Sequence, residues 1–255
     1  MYLESQVKND IIEIGRRLWL KGFVAANDGN ITVRVGKNEI WATPTGVSKG
    51  FLKPEMLIKL DLDGNVISGT WKPTSELKMH LRVYKERDDV MAVVHAHPPV
   101  ATSFAIVGKT LDAPIMPEAV ISLGVVPIAE YGTPSTEELP ENVSKYLQEC
   151  DALLLENHGA LTYGPDIYTA YYRMETMEFY AYISLLTHLL GGARELSEDK
   201  VRKLVEIRKK LGVKGRYPVQ RLFKRYNINK EEIKEEQLVD MVTRITKRVL
   251  EEMGQ

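Results

Sequence analysis

Apolar residues along the chain recur at two spacings, one helical and one extended. Near the N-terminus Val7, Ile11, Ile14 and Leu18 fall on one helical face, which predicts an amphipathic helix that stops near Gly22. "NDGNITVRV" then reads as a turn and a strand, and "EIWATPTGV" as a strand running into a Pro/Gly turn. In "PTSELKMHLRVYKERDD", Thr74 or Ser75 can cap a helix that carries Glu76 in its first turn. The apolar run in "MAVVHAH" predicts a buried strand. "DALLLENHGALTYG" reads as strand, turn, strand, and "PDIYTAYYRMETMEFYAYISLLTHLLGG" as a long helix with Pro165 near its start and Gly191 past its end. This alternation predicts an α/β sandwich of sheet and helices.

From Ser197 onward the pattern changes to charged helical sequence. Ser197 can cap a helix carrying Val201, Leu204, Val205 and Ile207, while Leu238, Val242, Ile245 and Val249 form a second stripe. "GVKGRYPVQ" connects the two helices. The expected organisation is a single domain over residues 1–255, with a core at about 5–195 and a helical C-terminal extension at about 196–255.

Composition narrows the classes of function. With 44% hydrophobic and 27% charged residues the chain is an ordinary globular sequence. A formal net charge of −1 argues against nucleic acid or an anionic membrane as a partner and leaves small molecules and proteins. No stretch approaches the length of a membrane span. Cys150, the only cysteine, cannot form an internal disulfide, and "MYLESQVKNDIIEIGRR" lacks the basic and apolar pattern of a leader, which together predict a cytoplasmic protein.

Candidate chemistry begins with five histidines, His80, His95, His97, His158 and His188. Residues i and i+2 of a strand share a face, so His95 and His97 project side by side, either as half of a metal site or as polar groups where a strand meets solvent. His158 sits in an "NHG" turn that Gly159 allows to be tight. Three imidazoles with an open fourth position suit a catalytic divalent ion. His80, one turn after Glu76, packs beside it or orients it, and His188 meets the last carbonyls of its helix. A carboxylate at Glu76 can ligate a metal, act as a general base, or simply favour a helix dipole. "NDGN", "TPTG" and "PTSE", at 27–30, 43–46 and 73–76, each combine a turn former with small polar side chains. They can supply backbone and hydroxyl donors to a phosphate, or be ordinary turns and caps. Cys150 reads as a small buried side chain, and the aromatic residues from Tyr168 to Tyr182 as core or interface.

In their order and separation, "NDGNITVR", "TPTG", "PTSELKMH", "VVHAHPP" and "LLLENHGALTYG" resemble the class II aldolase/adducin family over roughly residues 5–190. The resemblance implies a three-layer α/β/α sandwich around a largely antiparallel sheet, assembled as a homotetramer with active sites at subunit interfaces. It also implies a Zn²⁺ ion, or another divalent metal, on His95, His97 and His158, with Glu76 as catalytic acid/base. Gly29, Asn30, Thr45, Gly46, Thr74 and Ser75 are implied to bind the substrate phosphate, and Asn27 stands where members acting on L-fuculose 1-phosphate carry a threonine. The implied reaction is reversible cleavage of a ketose 1-phosphate to dihydroxyacetone phosphate and an aldehyde. Those members place a tyrosine where this chain has Met116, and a second where it has Leu211, for which Tyr217 of another subunit can substitute. Glu118 and Tyr131 lie in the divergent stretch. The expected substrate is therefore L-fuculose 1-phosphate or a related deoxypentulose 1-phosphate. Dehydration of methylthioribulose 1-phosphate, sugar-phosphate epimerisation and decarboxylation are the alternatives within the family, and an adducin-like assembly module is the non-enzymatic one.

Overall fold

A computed structural model of the chain describes residues 4–231. The N-terminal apolar stripe forms α1 (Glu4–Leu20), and the chain leaves it through Gly22 in the left-handed region. The hairpin partners β1 (Asn30–Arg34) and β2 (Glu39–Ala42) follow, then β3 (Ile58–Asp61) and β4 (Val66–Ser68). Next come α2 (Leu77–Glu86) and β5 (Ala92–Ala96). The chain continues through α3 (Pro99–Ile106), α4 (Pro117–Ser122), β6 (Ile128–Ala129), α5 (Glu138–Ser144), β7 (Ala152–Leu155), β8 (Gly159–Gly164) and α6 (Ile167–Leu189).

These strands form one eight-stranded sheet in the order β4-β3-β2-β1-β5-β8-β7-β6. Every neighbouring pair is antiparallel except β6 with β7. Because side chains alternate across a strand, each central strand feeds two cores. On β5, Ala92, Val94 and Ala96 join the core under α1, α3, α4 and α6, whereas Val93 joins the core under α2 and α5. The result is the expected three-layer α/β/α sandwich. His95 shares the face of Val93, so it points toward α2.

The chain divides into two compact units, Met1–Pro218 and Val219–Gln255. The first includes α7 (Glu198–Lys210), whose Arg208 donates 2.6 Å to the carbonyl of Ile121 at the end of α4. It also includes the connector after α7, where Arg173 donates 2.7 Å to the carbonyl of Lys214 while pairing at 3.1 Å with buried Asp151. Ser197 stands at the start of α7 without a side-chain cap bond, and α6 is started by Asp166, which accepts 2.8 Å from the N–H of Thr169. In the second unit α8 (Val219–Glu231) is described; Leu238, Val242, Ile245 and Val249 lie outside the described residues. Among the described residues no helix is long and apolar enough to cross a membrane.

Candidate active site

β5 delivers the first histidine. His95 is fully buried, opposite Asn30 of β1 and Leu161 of β8. Its Nδ1 lies 2.9 Å from the carbonyl oxygen of Ala160. A carbonyl only accepts, so Nδ1 carries the proton and the lone pair of the neutral ring sits on Nε2. His97 follows the strand end, where its backbone N–H donates 2.8 Å to the carbonyl of Phe23, and its Nε2 lies 3.1 Å from that of His95. His158 arrives on the β7–β8 turn. One ligating nitrogen from each ring lies within 4.8 Å of the other two.

The turn works differently from the expectation. Asn157, not Gly159, occupies the left-handed region, with φ at 53°. Gly159 is needed for space, since a Cβ there would stand 2.6 Å from the His97 ring and 2.7 Å from the carbonyl of Ala96.

Glu76 reaches into the same cluster. Its Oε2 accepts from Asn30 Nδ2 at 2.8 Å and lies 3.2 Å from His95 Nε2, and its Oε1 lies 3.0 Å from His158 Nε2. It does not sit in the first turn of α2, as expected, but precedes the helix as its N-cap, with its own N–H donating 3.3 Å to Thr74 Oγ1. That shift by one residue aims the carboxylate at the histidines instead of along the helix. Burial would raise the Glu76 carboxyl, but the adjacent His95 and His158 outweigh it and hold it well below the usual carboxylate range. Burial, reinforced by His95 and His158, pushes the His97 imidazole down to about 4, which keeps it neutral at pH 7. For His95, burial is outweighed by Glu76, which raises it. His80 does not hydrogen-bond Glu76; its Nδ1 bonds Thr32 Oγ1 at 2.8 Å and its Nε2 has no hydrogen-bond partner among the described residues.

The donor set fits a divalent cation. With the Nδ1 hydrogen committed to Ala160, the neutral form of His95 would present a lone pair toward His97 Nε2 and a carboxylate oxygen, and such convergence is relieved either by a proton on the ring or by a shared metal cation. His95, His97 and His158 would hold that ion.

The three small-residue stretches come together around this cluster. An isolated bridge joins Pro44 to Pro73, and the N–H groups of Thr45 and Thr74 donate to Lys72 and Thr43. Gly29, at φ 73°, brings the 27–30 loop against β5: a Cβ there would lie 2.6 Å from Val24 and 2.9 Å from the carbonyl of His95. Gly46 also has φ 73°, and Ser75 is exposed. Asn30 is placed beside Glu76, and one hydrogen of its side-chain amide goes to the carboxylate, leaving the second as a donor. Sequence reading missed two residues here. Asp28 Oδ2 lies 3.5 Å from His97 Nδ1, and buried Lys49 bonds the carbonyls of Asn27 and Val47. Neither has a spacing signature; "SKG" in a turn looks like an exposed lysine.

Met116 and Glu118 line a 630 Å³ cavity with Phe23, Glu178 and Phe179. Tyr131 is exposed, its N–H bonded to Glu156, and Leu211 ends α7. The Tyr217 hydroxyl donates to the carbonyl of Val120, and its ring stacks 4.3 Å from the Arg208 guanidinium. Cys150 is buried at the junction leading into β7.

Residues 9–185 match the family described as "Class II Aldolase and Adducin N-terminal domain". An L-fuculose phosphate aldolase of Methanococcus maripaludis is 39% identical over 71% of this chain and 97% of its own length. A 5-deoxy-D-ribulose 1-phosphate aldolase of Bacillus thuringiensis is 33% identical over 81% and 96%, and a 3-oxo-tetronate 4-phosphate decarboxylase of Pectobacterium atrosepticum 31% over 79% and 93%. Among solved structures, one titled L-fuculose 1-phosphate aldolase superimposes with a TM-score of 0.75 at 31% identity, covering 80% of this chain and 97% of that one. The chain belongs to the class II aldolase/adducin family. Its fold and its named relatives make it an enzyme of the aldolase, or aldehyde-lyase, type.

Proposed function

We propose that the protein is a zinc-dependent aldolase that reversibly cleaves L-fuculose 1-phosphate or a related deoxypentulose 1-phosphate to dihydroxyacetone phosphate and an aldehyde. The observation that carries this reading is the convergence of His95, His97 and His158 with Glu76 at 3.0–3.2 Å, beside loops built on Gly29 and Gly46. The relatives named for fuculose and deoxyribulose phosphates support the substrate class.

The phosphate binds through donors of Gly29, Asn30, Thr45, Gly46, Thr74 and Ser75, Thr45 and Thr74 offering their hydroxyls because their N–H groups join the two loops, and Asn30 also links its loop to Glu76. Held by Asn30, Glu76 moves the proton at C3 of the dihydroxyacetone phosphate half, removing it in the aldol direction and returning it in cleavage. A divalent cation, when bound by the three histidines, supplies positive charge where the substrate's C2 oxygen becomes negative. Tyr217 is the proposed proton donor to the aldehyde oxygen across a subunit boundary of a cytoplasmic homotetramer. Burial raises its phenol to about 12, so it holds its proton at neutral pH, and it must release the carbonyl of Val120 to act. The exposed aromatic residues Tyr172, Phe179 and Tyr182 on α6 support such an assembly.

The test is dihydroxyacetone phosphate release from L-fuculose, L-rhamnulose and 5-deoxyribulose 1-phosphates. Release that stops on chelation and returns with zinc is expected. Loss of carbon dioxide from 3-oxo-tetronate 4-phosphate, with no ketose cleaved, would instead assign the decarboxylase reading that one relative's name supports.

A further inference from the structure

Lys49 is 1% exposed, although a lysine is seldom fully buried without a charged partner. Among the described residues its ammonium has only neutral partners at bonding distance: Nζ donates 2.8 Å to the carbonyl of Asn27 and 2.7 Å to that of Val47. The charged groups that act on it are Asp28 and Glu76, and burial outweighs both, lowering the amine to about 8. The Lys49 backbone is also closely packed. A Cβ on Gly15 of α1 would come within 2.6 Å of the Lys49 carbonyl oxygen, so the helix clamps this backbone directly.

The two carbonyls are informative because of where they lie. Asn27 opens the loop that carries Gly29, and Val47 closes the loop that carries Thr45 and Gly46. The ammonium therefore bridges two of the three stretches proposed to bind phosphate. Those stretches contribute backbone amides and hydroxyls but no cation of their own, whereas a phosphate monoester carries close to two negative charges at neutral pH. A buried cation whose local partners are neutral remains available to a dianion, and at low dielectric its field is weakly screened.

We propose that Lys49 is the charge-supplying and loop-positioning residue of the phosphate subsite, placed behind the 27–30 and 43–46 loops. This role rests on the reading of those loops as the phosphate site. It assigns Lys49 two separable effects, spacing of the loops through the carbonyls and electrostatic attraction for the dianion.

Inorganic phosphate, titrated calorimetrically into the full-length protein, tests the role without relying on turnover. Lys49→Gln retains a donor for the carbonyls but removes the charge, and Lys49→Met removes both. Both variants are expected to bind phosphate about tenfold more weakly or worse, the order of a partly screened unit charge acting on a dianion over several ångströms. In turnover the KM for the ketose 1-phosphate rises with little change in kcat. Equal phosphate affinity in wild type and Lys49→Gln would overturn the charge role while leaving the aldolase reading intact. Failure of the wild type to bind phosphate would overturn the role of Lys49, and ketose 1-phosphate cleavage by the same protein would keep the aldolase reading. Lys49-dependent phosphate binding by a protein that cleaves no ketose 1-phosphate would uphold the role and remove the aldolase reading instead. If neither variant folds, the wild type still decides: its phosphate affinity must fall as pH rises through about 8 and Lys49 loses its proton, and a flat profile from pH 7.5 to 9.5 refutes the proposal.

Discussion

Glu76 shows how a single residue acquires its role from neighbours distant in sequence. Asn30, 46 positions earlier, donates to one carboxylate oxygen, and His158, 82 positions later, stands against the other. A glutamate after two hydroxyl residues reads as a helix-start residue, and the sequence signal for it is no stronger than that. Replacement by glutamine preserves shape and the Asn30 contact but removes the acid/base function. Glu76→Gln is therefore expected to keep its metal content while cleavage falls at least about a hundredfold. Near-normal activity with full metal would place the proton transfer on another group. The histidines were legible as a set because H-x-H on a strand and N-H-G in a turn are local patterns. Asp28 and Lys49 were not, since nothing local marks an acid as facing a distant histidine or a lysine as turned inward.

At the scale of elements, α2 is joined to the sheet by polar contacts as well as by its apolar face. His80 bonds Thr32 at 2.8 Å, and Thr32 in turn lies 2.9 Å from the Tyr84 hydroxyl. Burial holds the His80 imidazole down at about 3, so it is neutral in the fold, while in the unfolded chain it titrates near its ordinary value of 6.5. Its folded form binds fewer protons than the unfolded one. The stability it contributes is therefore complete above about pH 6.5 and lost as the pH falls from there toward 3, at up to about 1.4 kcal/mol per pH unit. Denaturant melts of chelated protein between pH 7 and 4.5 should show a shallower acid loss for His80→Gln than for wild type. Identical slopes would mean that His80 does not enter the fold as the neutral form. The periodicities located α1, β1, β2, β5, β7, β8 and α6, because each has a face to bury. They placed Glu76 inside α2 where it stands before it, since a hydroxyl at Thr74 or Ser75 looks like a cap whether or not the helix begins there.

For the whole molecule, the compact unit Met1–Pro218 contains both cores, the histidine cluster and the loops proposed to bind phosphate. A chain ending at Pro218 is expected to melt cooperatively within a few degrees of the full chain; loss of a cooperative transition would show that residues 219–255 complete the fold. In the charged stretch after residue 195, α7 and its connector are held by Arg208 and by Arg173 with Asp151, contacts that a charged helical sequence does not announce. By itself the sequence determined the class of fold, the identity of the three imidazoles and the turn chemistry of the loops, because hydrophobic period and glycine placement act over a few residues. Only the tertiary structure decided that β1 lies beside β5 and β5 beside β8, which sets Asn30 opposite His95. It also decided that Glu76 meets His158 and that the Lys49 ammonium is buried between two loops. Those outcomes depend on burial and on contacts across long stretches of chain, and no local pattern encodes the dielectric or the partner that a side chain will find.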